Sequence, residues 1–350
     1  MRISIDCRYI GKSGIGTYIE NLVDKLLTDH PEHQYVLICE KGNRLLERDN
    51  VQILETDIKP FSLKELLCFP VSEINNCDAY FSPYFNLPLR IKIPVYSTIH
   101  DVLFLDRREL TSWLGYIARK FYLWNAVRMS KAIFTVSEFS KSRIRHHFMT
   151  KKNIIVTFSA ISSTIKEAAK IKYEKDIPPY IIYVGNIKKH KGLKLLLEAY
   201  KKAMTSGYDR KLYLVGNADK FRTTDDELSS LIEENENVEF TGFLPNEKLH
   251  EMIAKAELLV LPSYYEGFGL TPLESLYIGT DVLISDIEVL KEVYKELPVT
   301  YFKCGDVDDL AAKLLSHKQK LNDTEEIRST IDVLYNSSDI ANKILKNIKS

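Results

Sequence analysis

Two glutamates with seven residues between them, Glu266 and Glu274, stand in the stretch Leu261-Pro-Ser-Tyr-Tyr-Glu-Gly-Phe-Gly-Leu-Thr-Pro-Leu-Glu-Ser-Leu276. Gly267 and Gly269 permit close backbone approach to a ligand, and Pro272 suits the first turn of a helix. The unbonded N–H groups of such a turn attract an anion or a sugar hydroxyl. Glu266 then lies on the loop and Glu274 at least one turn into the helix, so the two carboxylates can address different parts of one elongated ligand. A glycine-rich turn carrying two solvated glutamates is the plainer alternative.

Three further segments carry groups that could act on such a ligand. After the apolar run Tyr180–Val184 come Gly185, Asn186 and the cluster Lys188, Lys189, His190 and Lys191, with a helix expected from about Gly192. Cations at a helix N-terminus oppose its dipole, and a bound phosphate would satisfy both the lysines and the N–H groups; a solvated charge run is the alternative. His100 closes the run Pro94–Ile99, where it could face a ligand or serve as a structural histidine. The loop from Gly11 through Gly14 to Gly16 resembles a dinucleotide fingerprint only in part, because Ile19 stands where the third glycine belongs. Its backbone could still donate to a phosphate or sugar. Asp306, Asp308 and Asp309 precede an apolar helical pattern and read as a helix cap rather than metal ligands. The sequence shows no Ser–His–Asp, Walker or zinc-ligand pattern.

The elements that must hold these residues repeat as strand, loop, helix. Apolar, β-branched runs at Arg2–Cys7, Gln34–Cys39, Val51–Leu54, Ala79–Ser82, Pro94–Ile99, Ala132–Val136 and Ile154–Thr157 predict strands, and a helix is predicted over about Ile15–Leu27. A second series follows at Tyr180–Val184, Lys211–Val215, Val238–Phe240, Leu258–Leu261, Val282–Ile284 and Val299–Phe302. Continuous apolar strands alternating with helices predict an α/β fold of two doubly wound parallel sheets, with ligands at the carboxyl ends of the strands. The rhythm breaks between Ser159 and Pro179, so the expected division is 1–170 and 171–330, with a final helix in 331–350.

Length and charge agree with two domains and exclude several classes. The chain has 350 residues, 48 basic and 48 acidic, and no formal net charge, unlike a wholly basic nucleic-acid binder. Residues 1–170 carry a balance of +6 and residues 171–350 one of −6. The polar start does not read as a signal peptide, no apolar run is long enough to cross a membrane, and the five scattered cysteines read as reduced thiols. A cytoplasmic protein is expected.

Taken in order, the segments GIGTYIENL, STIHDVLFL, FTVSEFSKSRI, VEFTGFLPNEKL, AELLVLPS and SYYEGFGLTPLES resemble glycosyltransferase family 4, retaining nucleotide-sugar transferases of the GT-B fold. The resemblance covers nearly the whole chain, and the TIHD and VSEFSK segments are similar to bacterial polysaccharide-assembly mannosyltransferases. It implies an N-terminal acceptor domain, a C-terminal donor domain, and a last helix that packs back toward the first. It also implies roles for named residues. Glu274 would bind the donor ribose, Glu266 the hydroxyls of the transferred sugar, and the amides of Gly267, Phe268, Gly269 and Leu270 the sugar and phosphates. Lys191, with Asn186 beside it, would meet the diphosphate, approached from the other domain by Gly14 and Gly16. His100 would bond the sugar near the reacting carbon, and the backbone at Phe243 and Leu244 would meet the nucleobase. Catalysis would rest on His100, Glu266 and Lys191, without a metal or other cofactor. Two departures stand out: Asn186 replaces a frequent arginine, and Phe158-Ser-Ala-Ile161 replaces a usual Asn-Gly linker turn.

The expected donor is a GDP- or UDP-sugar, with a lean to GDP-mannose, and the acceptor a glycan or polyprenyl-linked oligosaccharide. A glycan phosphorylase of the same fold and a catalytically silent nucleotide- or carbohydrate-binding protein are the alternatives. Thr111–Met129 spaces Trp113, Leu114, Ile117, Phe121 and Trp124 as a helical stripe among Arg119, Lys120 and Arg128. That stripe either rests on an anionic membrane surface or lies in the domain core.

Overall fold

The computed structural model describes residues 1–350 apart from 45, 175–177, 217–230, 233, 234, 319–322 and 350. The chain divides into two compact units, Met1–Ala160 with Tyr335–Ser350, and Ile161–Leu334.

The first unit is built on strands β1 (Arg2–Asp6), β2 (Gln34–Glu40), β3 (Val51–Thr56), β4 (Ala79–Ser82), β5 (Val95–Thr98), β6 (Ser130–Thr135) and β7 (Asn153–Val156). They form one parallel sheet in the order β3-β2-β1-β4-β5-β6-β7. Strands β4 and β5 are buried at every residue, which is why their sequences run apolar or small without alternation. The order reverses between β1 and β4, so the crevice outside their carboxyl ends is where this topology places a ligand. The helix after β1 runs Ser13–Asp29 and buries Ile19, Leu22, Val23, Leu26 and Leu27. It starts two residues before the apolar periodicity begins, so Gly14 and Gly16 occupy its first turn instead of the preceding loop.

The helix Trp113–Met129 buries Tyr122, Leu123, Ala126 and Val127 against the sheet, while its aromatic stripe faces outward. The core alternative for that stripe is thereby overturned within this unit, because a different face of the helix fills the core. The closing helix Ser337–Lys349 packs on Ser13–Asp29, burying Ile340, Ala341, Ile344, Leu345 and Ile348. Lys343 Nζ donates to the Val156 carbonyl at 2.7 Å, fixing this helix to the end of β7.

The second unit holds β8 (Tyr180–Val184), β9 (Lys211–Val215), β10 (Val238–Gly242), β11 (Leu258–Leu261), β12 (Asp281–Ser285) and β13 (Thr300–Phe302). The sheet is again parallel, ordered β10-β9-β8-β11-β12-β13, with its reversal between β8 and β11. Leu258, Leu259 and Val260 of β11 are wholly buried at its centre. Residues 161–170, assigned to the first domain from sequence, lie in the second unit. There the short helix Ser163–Ala168, capped by the Ser162 hydroxyl, packs on the helix Leu270–Ile278. Arg328 Nη2 also donates to the Ala169 carbonyl at 2.8 Å. Asp306 caps the helix Val307–Ser316, accepting from the N–H groups of Asp308 and Asp309, both at 3.1 Å.

Candidate active site

In the second unit the switch point joins the two acidic and basic motifs. The loop after β8 carries Asn186 and Lys191, and the loop after β11 carries Glu266. Lys191 Nζ donates to both carboxylate oxygens of Glu266, at 2.8 and 2.9 Å. The Ser263 hydroxyl donates to the same carboxylate at 2.7 Å, and Ser285 Oγ in turn holds the Ser263 carbonyl at 2.5 Å. Glu266 is nearly buried while Lys191 keeps about a quarter of its side chain exposed, so the ammonium marks the accessible side of the pair. Residues 75 apart in sequence thus form one charge-assisted contact.

Glycines bring the two loops together. Gly192 adopts φ +69°, and a Cβ there would stand 2.0 Å from the Pro262 carbonyl oxygen. The His190 carbonyl accepts from Tyr264 N–H at 2.8 Å, closing the same seam. Gly192 is also the N-cap of the helix Leu193–Thr205, and no side chain caps it. Gly269, at φ +86°, is likewise the uncapped N-cap of Leu270–Ile278, where a Cβ would press on Leu290 at 2.6 Å. The Tyr294 hydroxyl donates to its carbonyl. Two uncapped helix N-termini and one lysine therefore converge on the carboxyl ends of β8 and β11, an arrangement suited to a polyphosphate.

Glu274 lies in the second turn of Leu270–Ile278 and is partly buried. Desolvation of its carboxyl raises the pKa from 4.5 to about 8, and no described residue offers it a hydrogen bond or opposite charge. Phe268 is buried, Gly267 and Leu270 are partly exposed, and Asn186 is exposed. At the end of β10 the register shifts between Phe240 and Gly242, and Gly242 turns at φ +76°. This delivers Phe243 to the surface at 77% exposure, with Leu244 half-buried beside it.

In the first unit His100 follows β5, and its Nε2 lies 2.9 Å from the carbonyl of Pro83, just past β4. A carbonyl can only accept, so Nε2 carries the proton and Nδ1 is left as an acceptor. Burial holds the ring neutral, with its pKa lowered to about 4. Tyr18 packs edge-on against it at 4.7 Å, and the Ser140 hydroxyl donates to the His100 carbonyl at 2.9 Å. Gly16 is forced by space, since a Cβ would meet the Tyr9 carbonyl oxygen at 2.3 Å; a Cβ on Gly14 would meet nothing. In the second unit Asn186, Lys191 and Glu266 lie on the loops at the switch point, whereas Phe243 and Leu244 follow the edge strand β10; in the first unit Gly14 and Gly16 follow β1 and His100 follows β5.

Ser263, Tyr294, Pro83 and Tyr18 orient these groups and were not singled out from sequence. Ser263 stands three residues before Glu266, a spacing that offered a signal; the other three act from distant segments and gave none. A buried cluster at the end of β1 was also missed. Arg8 bonds Asp6 Oδ2 at 2.6 Å, Glu65 Oε1 at 2.5 Å and the Tyr84 hydroxyl at 3.0 Å.

Residues 165–330 match the family model described as Glycosyl transferases group 1. The chain is 30% identical over 255 residues to the O-antigen chain mannosyltransferase B of Escherichia coli, covering 69% of this chain and 65% of that relative's length. Among solved structures it is similar to sucrose-phosphate synthase from Thermosynechococcus elongatus, with a TM-score of 0.77, 17% identity, and coverage of 100% and 98% of the two chains. The lipopolysaccharide glycosyltransferase WaaG gives a TM-score of 0.72 at 15% identity, covering 99% of each chain. Identities at that level speak for the fold alone, which is GT-B, as its sequence motifs led one to expect.

Proposed function

We propose that this chain is a retaining glycosyltransferase of the family 4 kind. It would move a hexose from a nucleoside-diphosphate sugar to a hydroxyl of a glycan or lipid-linked oligosaccharide, in the cytoplasm, during surface polysaccharide synthesis. The observation that carries the reading is the Lys191–Glu266–Ser263 cluster between two uncapped helix N-termini, with Glu274 following, inside the segment that matches the Glycosyl transferases group 1 family. The relation to an O-antigen mannosyltransferase supports mannose as the transferred sugar, and the donor proposed with it is GDP-mannose.

In the proposed reaction the bond from the sugar's anomeric carbon to the β-phosphate oxygen breaks, and its electron pair leaves with the nucleoside diphosphate. Lys191 and the N–H groups at Leu193 and Leu270 hold that charge, the largest single demand on such a site. The acceptor oxygen bonds to the same face of the anomeric carbon, and its proton passes to the departing phosphate oxygen. No protein nucleophile is needed. Glu266 receives hydroxyls of the sugar once Lys191 has a phosphate to share, and Glu274 receives the two ribose hydroxyls. His100, neutral and presenting Nδ1, accepts from a sugar hydroxyl and does not serve as an acid. The residues assigned to the donor need no metal or other cofactor.

A thermal-shift comparison of GDP-, UDP-, ADP- and dTDP-sugars tests the reading, because a ligand that binds only the folded chain raises its melting temperature. A rise with GDP-mannose that is lost in Glu274→Gln is expected. No response to any nucleotide sugar would remove the donor assignment, and a response to inorganic phosphate and glycan alone would favour a phosphorylase.

A further inference from the structure

The first unit bears an exposed apolar face that the transfer chemistry does not use. At 100° per residue, Trp113, Trp124, Ile117, Phe121 and Leu114 fall within one 100° arc of the helix Trp113–Met129, and all five are exposed. Trp113 and Trp124, the only tryptophans of the chain, are 62% and 48% exposed. Soluble surfaces seldom gather large apolar side chains in this way without a partner.

A second segment extends the face. Phe61, Leu63 and Leu67 are exposed on and before the short helix Leu63–Cys68. The Phe61 ring meets Tyr122 at 5.6 Å, Tyr122 meets Phe121 at 6.0 Å, and Phe121 meets Trp124 at 6.1 Å, so the two segments are continuous. The buried Glu65 is the anchor. Its carboxylate takes Arg8 on one oxygen and, on the other, the Phe61 N–H at 2.7 Å and Asn86 Nδ2 at 3.0 Å. That contact holds Phe61 at φ +60°, a conformation a bulky residue rarely adopts, with its ring turned to the helix.

Charge indicates what the face meets. The helix Trp113–Met129 contains Arg119, Lys120 and Arg128 and no acidic residue. Lys120 and Arg128 are exposed at the stripe, and Lys64 is exposed between Leu63 and Leu67. Glu65, the one carboxylate of the second segment, is buried against Arg8. A face of tryptophans and aliphatics ringed by cations suits an anionic bilayer, whose headgroups take the cations while the rings enter the interface. A second copy of the same face would oppose cation to cation.

We propose that the surface formed by 61–67 and 113–128 docks on an anionic lipid bilayer. The tryptophans make the test direct: the full-length protein is titrated with vesicles of phosphatidylcholine alone and with phosphatidylglycerol added, reading tryptophan emission and co-sedimentation. Expected are a blue shift and pelleting with the anionic vesicles, weakened by added salt. Lys120→Glu with Arg128→Glu should weaken binding at least tenfold, as should Leu114→Ser with Ile117→Ser. All four side chains are exposed, so unchanged melting temperatures are expected to accompany the loss. Absence of any shift or pelleting overturns the proposal, and so does equal, salt-independent binding to both vesicles. Self-association in the ultracentrifuge, abolished by the same variants and unaffected by lipid, would assign the face to a second copy and also overturn it. The readout needs neither donor nor acceptor, so its failure leaves the transfer reading standing, and the reverse.

Discussion

Glu266 has two partners to serve: it neutralises Lys191 in the structure, and in the proposed reaction it is the carboxylate assigned to sugar hydroxyls. Truncating Lys191 to alanine takes the paired cation from that nearly buried carboxylate and leaves the Ser263 hydroxyl bonded to it. The expected result is a loss of about 1–3 kcal/mol in stability and at least a tenfold drop in nucleotide-sugar affinity, read by denaturant titration and calorimetry. Glu274 makes a pH-dependent prediction. Burial raises its carboxyl pKa to about 8, so the stability it contributes is full below 4.5 and is lost as pH climbs through about 8. Two ribose hydroxyls donate best to the ionised form, so donor affinity should rise with pH toward 8, by up to about tenfold per unit. Glu274→Gln should flatten both dependences, as melting curves and calorimetry at pH 6 and 8 would show; a variant that keeps the wild-type slopes would exclude this carboxyl as their source. His100 titrates near 4, so His100→Ala should lower kcat/KM at least tenfold without moving either limb of a pH profile between 5 and 8.

At the scale of elements, the site depends on how closely loops and helix starts approach one another. Gly16 and Gly192 have carbonyl oxygens 2.3 and 2.0 Å from where a Cβ would stand, and Gly192 also needs a positive φ. Alanine at either position should destabilise by more than about 1 kcal/mol. Gly14 is the contrast: a Cβ meets nothing there, and the residue lies in a helix. Gly14→Ala should therefore raise stability by about 0.4–1 kcal/mol. Thermal melts of the variant beside the parent chain check this. The turn at Phe158 is another element with a local cost. Phe158 takes φ +59°, and its ring packs edge-on against Tyr335 at 5.5 Å.

For the whole molecule, the chain enters the second unit at Ile161, leaves it at Leu334 and completes the first with its final residues. The closing helix fills part of the first unit's core, so a chain cut after Leu334 should lose several kcal/mol there, since each buried aliphatic side chain contributes about 1.5–3 kcal/mol. Reduced melting temperature and aggregation would report it, while the second unit's nucleotide response should persist. The opposed charges of the two halves have a consequence as well. The acidic half carries most of the residues proposed for the donor, so a diphosphate held there would depend on local groups, Lys191 and the helix starts, acting against the surrounding field.

The thirteen strands among the described residues were all legible because buried parallel strands are written as short continuous apolar runs, and the runs lie within a residue or two of the observed strands. The glycine and carboxylate motifs were legible for a similar reason: a loop between a strand and a helix advertises itself by composition. The unit boundary was displaced by ten residues because the six-residue helix Ser163–Ala168 offers too few apolar positions to show which core it joins. By itself the sequence determined the two-sheet architecture, the order of its elements and which residues share a loop or a helix face. Only the tertiary structure decided that Lys191 is held by Glu266, that Pro83 sets the tautomer of His100, and that the aromatic stripe points outward. Periodicity says which side chains lie together along one element. What lies opposite them is fixed by packing between segments tens of residues apart, and no local pattern records it.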